Sequence, residues 1–81
     1  MKQKELELLV SLGHIEKIEV RRPQGAASGW LVIAWTGENA LRRFAPELET
    51  AKGEPREFAS LDAVFRTLES IGVADFQVIT K

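Results

Sequence analysis

The chain lacks cysteine and has a single histidine among its 81 residues. The missing thiols exclude disulfide bonds, thiolate nucleophiles and cysteine-based zinc sites, and one imidazole is too few for most other metal centres. No apolar run approaches the length of a membrane span, and the first residues do not resemble a secretory leader. We therefore expect a cytoplasmic protein that holds no metal and no cofactor and makes no membrane contact.

Positive charge is not in surplus. Eleven lysines and arginines stand against twelve aspartates and glutamates, which gives a net charge of −1. Proteins that bind duplex DNA obtain much of their affinity by neutralising phosphates, so this balance speaks against strong non-specific DNA binding. Weak binding of nucleic acid through a local basic patch stays open.

Sequence motifs of common catalytic sites are missing as well. The chain contains no HExxH, GxSxG or GxGxxG motif and no phosphate-binding loop. Two acidic pairs, Glu5 with Glu7 and Glu47 with Glu49, lack the apolar surroundings that acid–base catalysis requires. We predict that the protein is not an enzyme and that it has no catalytic, cofactor-binding or metal-binding residue.

The remaining composition is that of one folded domain. Hydrophobic residues make up 44% of the chain and charged residues 28%, which are ordinary values for a globular protein, so we treat residues 1–81 as a single domain. Leu6, Leu9 and Val10 recur at helical spacing and predict an amphipathic helix over residues 2–12. A glycine at position 13 is suited to end it.

The next two segments have the pattern of strands. Ile18 and Val20 alternate with charged residues and predict a strand from residue 16 to residue 22 with one wet face. A loop rich in glycine and other turn-forming residues over residues 23–29 leads to the run 30–35, which is apolar at both parities, as in a strand covered on both faces. Together they predict a hairpin.

The middle of the chain is harder to interpret. Residues 37–46 favour a short helix or an irregular connection. Residues 48–51 and 56–58 then flank a Gly/Pro turn and predict a second hairpin, whose short, charged arms are typical of a sheet edge.

The last third predicts a helix and a strand. Ser60 is a good N-cap, and Gly72 stops the helix. Between them lies a stripe of apolar residues that we expect to be buried: Leu61, Val64, Phe65, Leu68 and Ile71. Residues 75–80 complete the chain as a strand, with Phe76 and Val78 directed inward.

The element order α-β-β-(short α)-β-β-α-β predicts an α+β domain. We expect a mainly antiparallel sheet of about four to five strands with two main helices packed on it. In a three-layer variant, one helix would lie on each face of the sheet, which would explain why the run 30–35 is apolar throughout.

The run LETAKGEPREFASLD, from Leu48 to Asp62, is the most distinctive part of the sequence. Further positions accompany it: Leu68, Gly72, Phe76 and Val78. Over residues 47–80 the chain resembles small plasmid and integrative-element proteins of proteobacteria labelled partition-associated or ParC-like, which are unrelated to the topoisomerase subunit of similar name. The resemblance implies a role beside the machinery that maintains or segregates mobile DNA in the bacterial cytoplasm, and it brings no catalytic motif.

Our leading hypothesis is a non-enzymatic accessory protein that binds a protein partner, such as a partition or replication factor. Self-association into a homodimer through a sheet edge is a further expectation. The candidate partner-binding surface consists of outward cations: Arg21, Arg22, Lys52 and Arg56. The alternative is a small nucleic-acid-binding module that uses the outward arginines of the hairpins, and a small enzyme ranks last.

Overall fold

The computed structural model describes residues 1–36 and 47–80. In these residues the elements are, in chain order, α1 (Gln3–Ser11), β1 (Ile15–Arg21), β2 (Leu31–Thr36), α2 (Leu61–Ser70) and β3 (Gln77–Ile79). The α+β class is confirmed. The short helix or connection expected over residues 37–46 lies outside the described residues.

The sheet is smaller and more mixed than predicted. Its three strands follow the order β2-β1-β3, so β1 is the central strand. β1 pairs with β2 in antiparallel fashion and with β3 in parallel fashion. The described residues thus contain three strands where four to five mainly antiparallel ones were expected, and one of the two strand pairings is parallel.

The first hairpin has the predicted alternation with one irregularity. Ile18 lies opposite Ala34 and Val20 opposite Val32, and all four side chains are buried in the core. The register shifts by one residue between Ile15 and Lys17. Because an extra residue reverses the alternation, Ile15 packs against the core although it shares the parity of the outward Lys17.

The predicted second hairpin forms single backbone pairings instead of two strands. The Leu48 amide donates to the Val32 carbonyl at 2.8 Å, and the Arg56 amide donates to the Leu48 carbonyl at 2.9 Å. Just before β2 begins, Trp30 exchanges two 2.9 Å hydrogen bonds with Phe58. The arms are short, and Pro55, which lies opposite Glu49, has no amide hydrogen to donate to a regular ladder.

The segment around Leu48 is not the outer edge that the sequence predicts. The Glu49 amide donates to the Met1 carbonyl at 2.7 Å, and the Met1 ammonium group donates to the Glu47 carbonyl at 2.7 Å. Residues 1–2 therefore lie alongside residues 47–49, and this pairing brings the beginning of α1 next to the turn that follows Glu49.

One hydrophobic core joins both described helices to the same face of the sheet. Its buried members are Leu6, Ile18, Val20, Trp30, Val32, Ala34, Leu48, Phe58, Val64 and Leu68. Leu6 comes from α1, and Val64 and Leu68 come from α2. The three-layer variant with the two main helices on opposite faces is therefore wrong.

Helix α2 crosses the sheet from one side to the other. It begins after Phe58, which pairs with Trp30 just before β2, and leads to β3, which pairs with the edge of β1 opposite β2. The Ser60 hydroxyl accepts a hydrogen bond from the Ala63 amide at 3.1 Å, so the predicted N-cap is confirmed. Leu61 and Phe65 are exposed, however, because their side of the predicted stripe faces away from the core.

Candidate protein-binding groove

A groove of about 670 Å³ lies at the beginning of α1. Its lining comes from two segments: Lys2, Gln3, Lys4 and Glu5 on one side, and Glu49, Thr50, Ala51 and Arg56 on the other. We call it the N-terminal groove. The parallel pairing of residues 1–2 with residues 47–49 places these two walls side by side.

Arg56 is fixed in the wall of the N-terminal groove. Its guanidinium carbon lies 4.7 Å from the centre of the Phe58 ring, and its Nη1 donates a 2.8 Å hydrogen bond to Oε1 of Gln3. Phe58 is itself buried and paired with Trp30. The arginine is thus ordered before any ligand arrives, which reduces the entropy cost of binding.

The opposite end of the same wall is a tight turn. The Thr50 amide donates to the Glu54 carbonyl at 2.7 Å, and the Gly53 amide donates to the Thr50 carbonyl at 2.9 Å. The Thr50 hydroxyl accepts longer bonds of 3.3 Å from the amides of Lys52 and Glu54. These bonds hold the loop in shape and leave Lys52 exposed at its tip.

The charges that line the N-terminal groove are unequally engaged. Both acidic groups have a partner within the chain. Oε1 of Glu5 accepts a hydrogen bond from the Lys2 amide at 2.7 Å, and Oε1 of Glu49 forms an ion pair with the Met1 ammonium group at 3.8 Å. Among residues 1–36 and 47–80, the ammonium groups of Lys2 and Lys4 form no ion pair. The groove therefore presents cations whose charge is available to a ligand.

The four predicted surface cations make different contacts. Arg56 lies in the groove and Lys52 in its loop, but Arg21 forms a 3.1 Å salt bridge with Glu19 on the sheet face away from the helices. Arg22 lies 4.1 Å from the centre of the Trp30 ring and donates to a backbone carbonyl in the hairpin loop at 3.3 Å. The role of these four cations in partner binding stays a prediction.

Glu19 is a buried carboxylate that the sequence analysis did not single out. It is 6% exposed, accepts hydrogen bonds from Trp35 and Arg21, and lies 3.7 Å from the Lys17 ammonium group. Burial alone raises the pKa of Glu19, but the two hydrogen bonds and the charges of Arg21 and Lys17 together outweigh burial and lower it. Glu19 is thus held as a carboxylate in a network that stabilises the sheet.

The groove residues Lys2, Gln3 and Lys4 were also missed. In the sequence they form the polar side of an amphipathic helix, which is a pattern shared by most solvated helices. Only the pairing of residues 1–2 with residues 47–49 gives them a second wall. No signal in the sequence indicates that pairing.

The described part of the chain contains no group of three or more His, Asp or Glu side chains arranged to hold a metal ion. In the same part, no helix combines the length and the apolar character needed to cross a membrane.

Comparison with known proteins leaves the function open. No protein-family model, no curated protein and no solved structure matches the chain. The resemblance to ParC-like proteins and the functional hypotheses stay predictions.

Proposed function

We propose that this chain is a non-enzymatic accessory protein that acts by binding a protein partner in the N-terminal groove. The observation that carries the proposal is the ordered Arg56, held between Phe58 and Gln3 in the wall of a groove of about 670 Å³. Arginine in such a setting is enriched at the energetic centres of protein interfaces.

The shape of the groove favours a peptide over a small molecule. Small ligands usually bind in enclosed pockets that bury most of their surface. Here Lys2, Lys4 and Ala51 are exposed, and both walls carry charged groups. An open groove of this kind can take a segment of another protein whose remaining residues stay in solvent.

The contacts that the arginines make within the chain support a protein partner rather than nucleic acid. Arg21 is paired with Glu19, and Arg22 lies over Trp30. Binding of phosphates by these side chains would have to break or share contacts within the chain. The net charge of −1 adds no long-range attraction for a polyanion.

We further propose that the partner is a partition or replication factor of a bacterial plasmid or integrative element and that the complex forms in the cytoplasm. This part of the proposal is supported by the ParC-like resemblance over residues 47–80. A homodimer is a competing occupant of the groove.

A bulky substitution tests the proposal. Ala51→Trp would fill the N-terminal groove, and Ala27→Trp in the exposed hairpin loop serves as the matched control, since both alanines are exposed. A partner captured from a proteobacterial host is identified, purified and titrated against the wild type and both variants. We expect Ala51→Trp to weaken binding by about tenfold or more and Ala27→Trp to leave it unchanged.

Three results would contradict the proposal. One is equal affinity of the two variants for the purified partner. Another is a homodimer in which the second copy occupies the groove, which would be observed as a dimer that Ala51→Trp converts to a monomer. The third is tight binding of labelled duplex DNA that persists when the salt concentration is raised from about 50 mM to about 200 mM.

A further inference from the structure

We infer that the N-terminal groove receives an acidic peptide segment of the partner. This inference rests on the proposed function and adds the chemistry of the ligand. Three cations line the groove, Lys2, Lys4 and Arg56, and Lys52 lies in the adjoining turn. The two acidic residues of the lining, Glu5 and Glu49, are already engaged by the Lys2 amide and the Met1 ammonium group.

Arg56 supplies the geometry that a carboxylate needs. A guanidinium group carries five N–H donors in a planar fork, and two of them can bind both oxygens of one carboxylate. Within the described residues, one hydrogen bond of this group is present, to the neutral amide oxygen of Gln3. A carboxylate of the partner can therefore bind the remaining donors while the Phe58 ring keeps the fork in place.

The lining also explains why the ligand is a peptide and not a chain of phosphates. Glu5 and Glu49 lie among the cations, so the groove presents separated positive charges and not the continuous basic track that follows a nucleic-acid backbone. The methyl group of Ala51 and the aliphatic stems of Lys2 and Lys4 provide apolar surface between the charges. Acidic residues alternating with apolar ones would match both features.

The test uses two fluorescein-labelled octapeptides, one alternating Glu and Leu and one alternating Gln and Leu, titrated by fluorescence anisotropy against the full chain. We expect the Glu-Leu peptide to bind about tenfold or more tightly than the Gln-Leu peptide. Raising the salt concentration from about 50 mM to about 200 mM should weaken that binding, since the contacts are between exposed charges.

Matched charge reversals locate the binding site. Lys4→Glu changes a groove cation, and Arg66→Glu makes the same charge change on the exposed side of α2, outside the groove. Lys4→Glu should remain folded because an acidic residue in the first turn of a helix interacts favourably with the helix dipole. We expect about a tenfold loss of Glu-Leu affinity for Lys4→Glu and no loss for Arg66→Glu.

Several outcomes overturn the inference. These are no binding of the Glu-Leu peptide at concentrations up to about 1 mM, equal binding of the two peptides, equal losses in the two variants, or tighter binding of a phosphorylated peptide or an oligonucleotide. If the purified host partner still loses affinity in Ala51→Trp, the groove remains a protein site of other chemistry and only the acidic ligand is wrong. If Ala51→Trp leaves partner binding intact, the proposed function itself fails.

Discussion

The indole Nε1 of Trp35 donates a hydrogen bond of 2.9 Å to Oε1 of Glu19 on the neighbouring strand. The same oxygen accepts from Arg21 at 3.1 Å, and Lys17 lies over the Trp35 ring at 5.5 Å from its centre. Four side chains of β1 and β2 thus form one network on the sheet face away from α1 and α2. The network gives the Glu19 carboxylate hydrogen-bond donors and positive charges, without which its burial would be energetically costly.

The Glu19 network predicts an acid-sensitive contribution to stability. Folding lowers the pKa of Glu19 below its ordinary value of 4.5, so its contribution is fully present above that value and is lost as the pH falls through the lowered pKa. We expect Glu19→Gln to flatten this part of the pH dependence in urea unfolding followed by circular dichroism. An unchanged acid profile in the variant would show that other carboxylates dominate.

Trp35→Phe tests the hydrogen bond of the indole directly. The variant keeps an aromatic ring but removes the donor to a buried charged acceptor, so we expect the free energy of unfolding at neutral pH to fall by about 1.5–3 kcal/mol. The combined variant Trp35→Phe with Glu19→Gln should lose less than the sum of the two single losses. Additive losses would mean that the two side chains are not coupled.

Substitution by alanine should destabilise the protein much more on the buried side of α2 than on its exposed side. Leu68 is 1% exposed and Phe65 is 51% exposed. Leu68→Ala should lower the free energy of unfolding by about 2–5 kcal/mol. Phe65→Ala should change it by less than about 1 kcal/mol. Similar losses at the two positions, measured by urea unfolding, would contradict the observed orientation of the helix.

Gly72 should be intolerant of an ordinary side chain because of its backbone. Its φ of 91° is in the left-handed region, while an added Cβ would lie 3.6 Å from Val10 Cγ1, which is an ordinary contact. Gly72→Ala should therefore cost about 1–2 kcal/mol of stability from backbone strain alone. Gly72→Asn should cost less, because asparagine tolerates positive φ better. Thermal unfolding of both variants distinguishes strain from crowding.

Arg56 and Lys52 should differ in their contribution to folding. Arg56→Ala removes the contact with Phe58 and the hydrogen bond to Gln3, which together contribute about 1–2 kcal/mol. Lys52→Ala, at the exposed tip of the turn, should change stability by less than about 0.5 kcal/mol. Equal stability of the two variants would show that Arg56 is not anchored in the free protein.

Local patterns in the sequence correctly predicted several elements. The helical spacing around Leu6 predicts α1, the alternation of Ile18 and Val20 predicts β1, and Ser60 marks the beginning of α2. These features depend on neighbours within one or two turns or on the period of a strand, so the chain itself specifies them. The run 30–35 is apolar at both parities, and its two tryptophans indeed differ in setting: Trp30 is buried in the core, while Trp35 contacts Glu19.

Pairings between residues that are distant in the sequence could not be predicted from local patterns. Nothing near Phe76 indicates that β3 pairs with β1 in parallel, and nothing near Lys2 indicates a partner at Glu49. The exposure of Phe65 was missed for a related reason, since an apolar residue beside a buried stripe has the same period whether or not a neighbour covers it. The amino-acid sequence by itself determined the helices, the first hairpin and the lack of thiol chemistry. Tertiary structure decided which segments became neighbours, and hence that Arg56 lines the same groove as Lys2 and Lys4. Such proximity depends on the packing of the whole core and not on the residues adjacent in the chain.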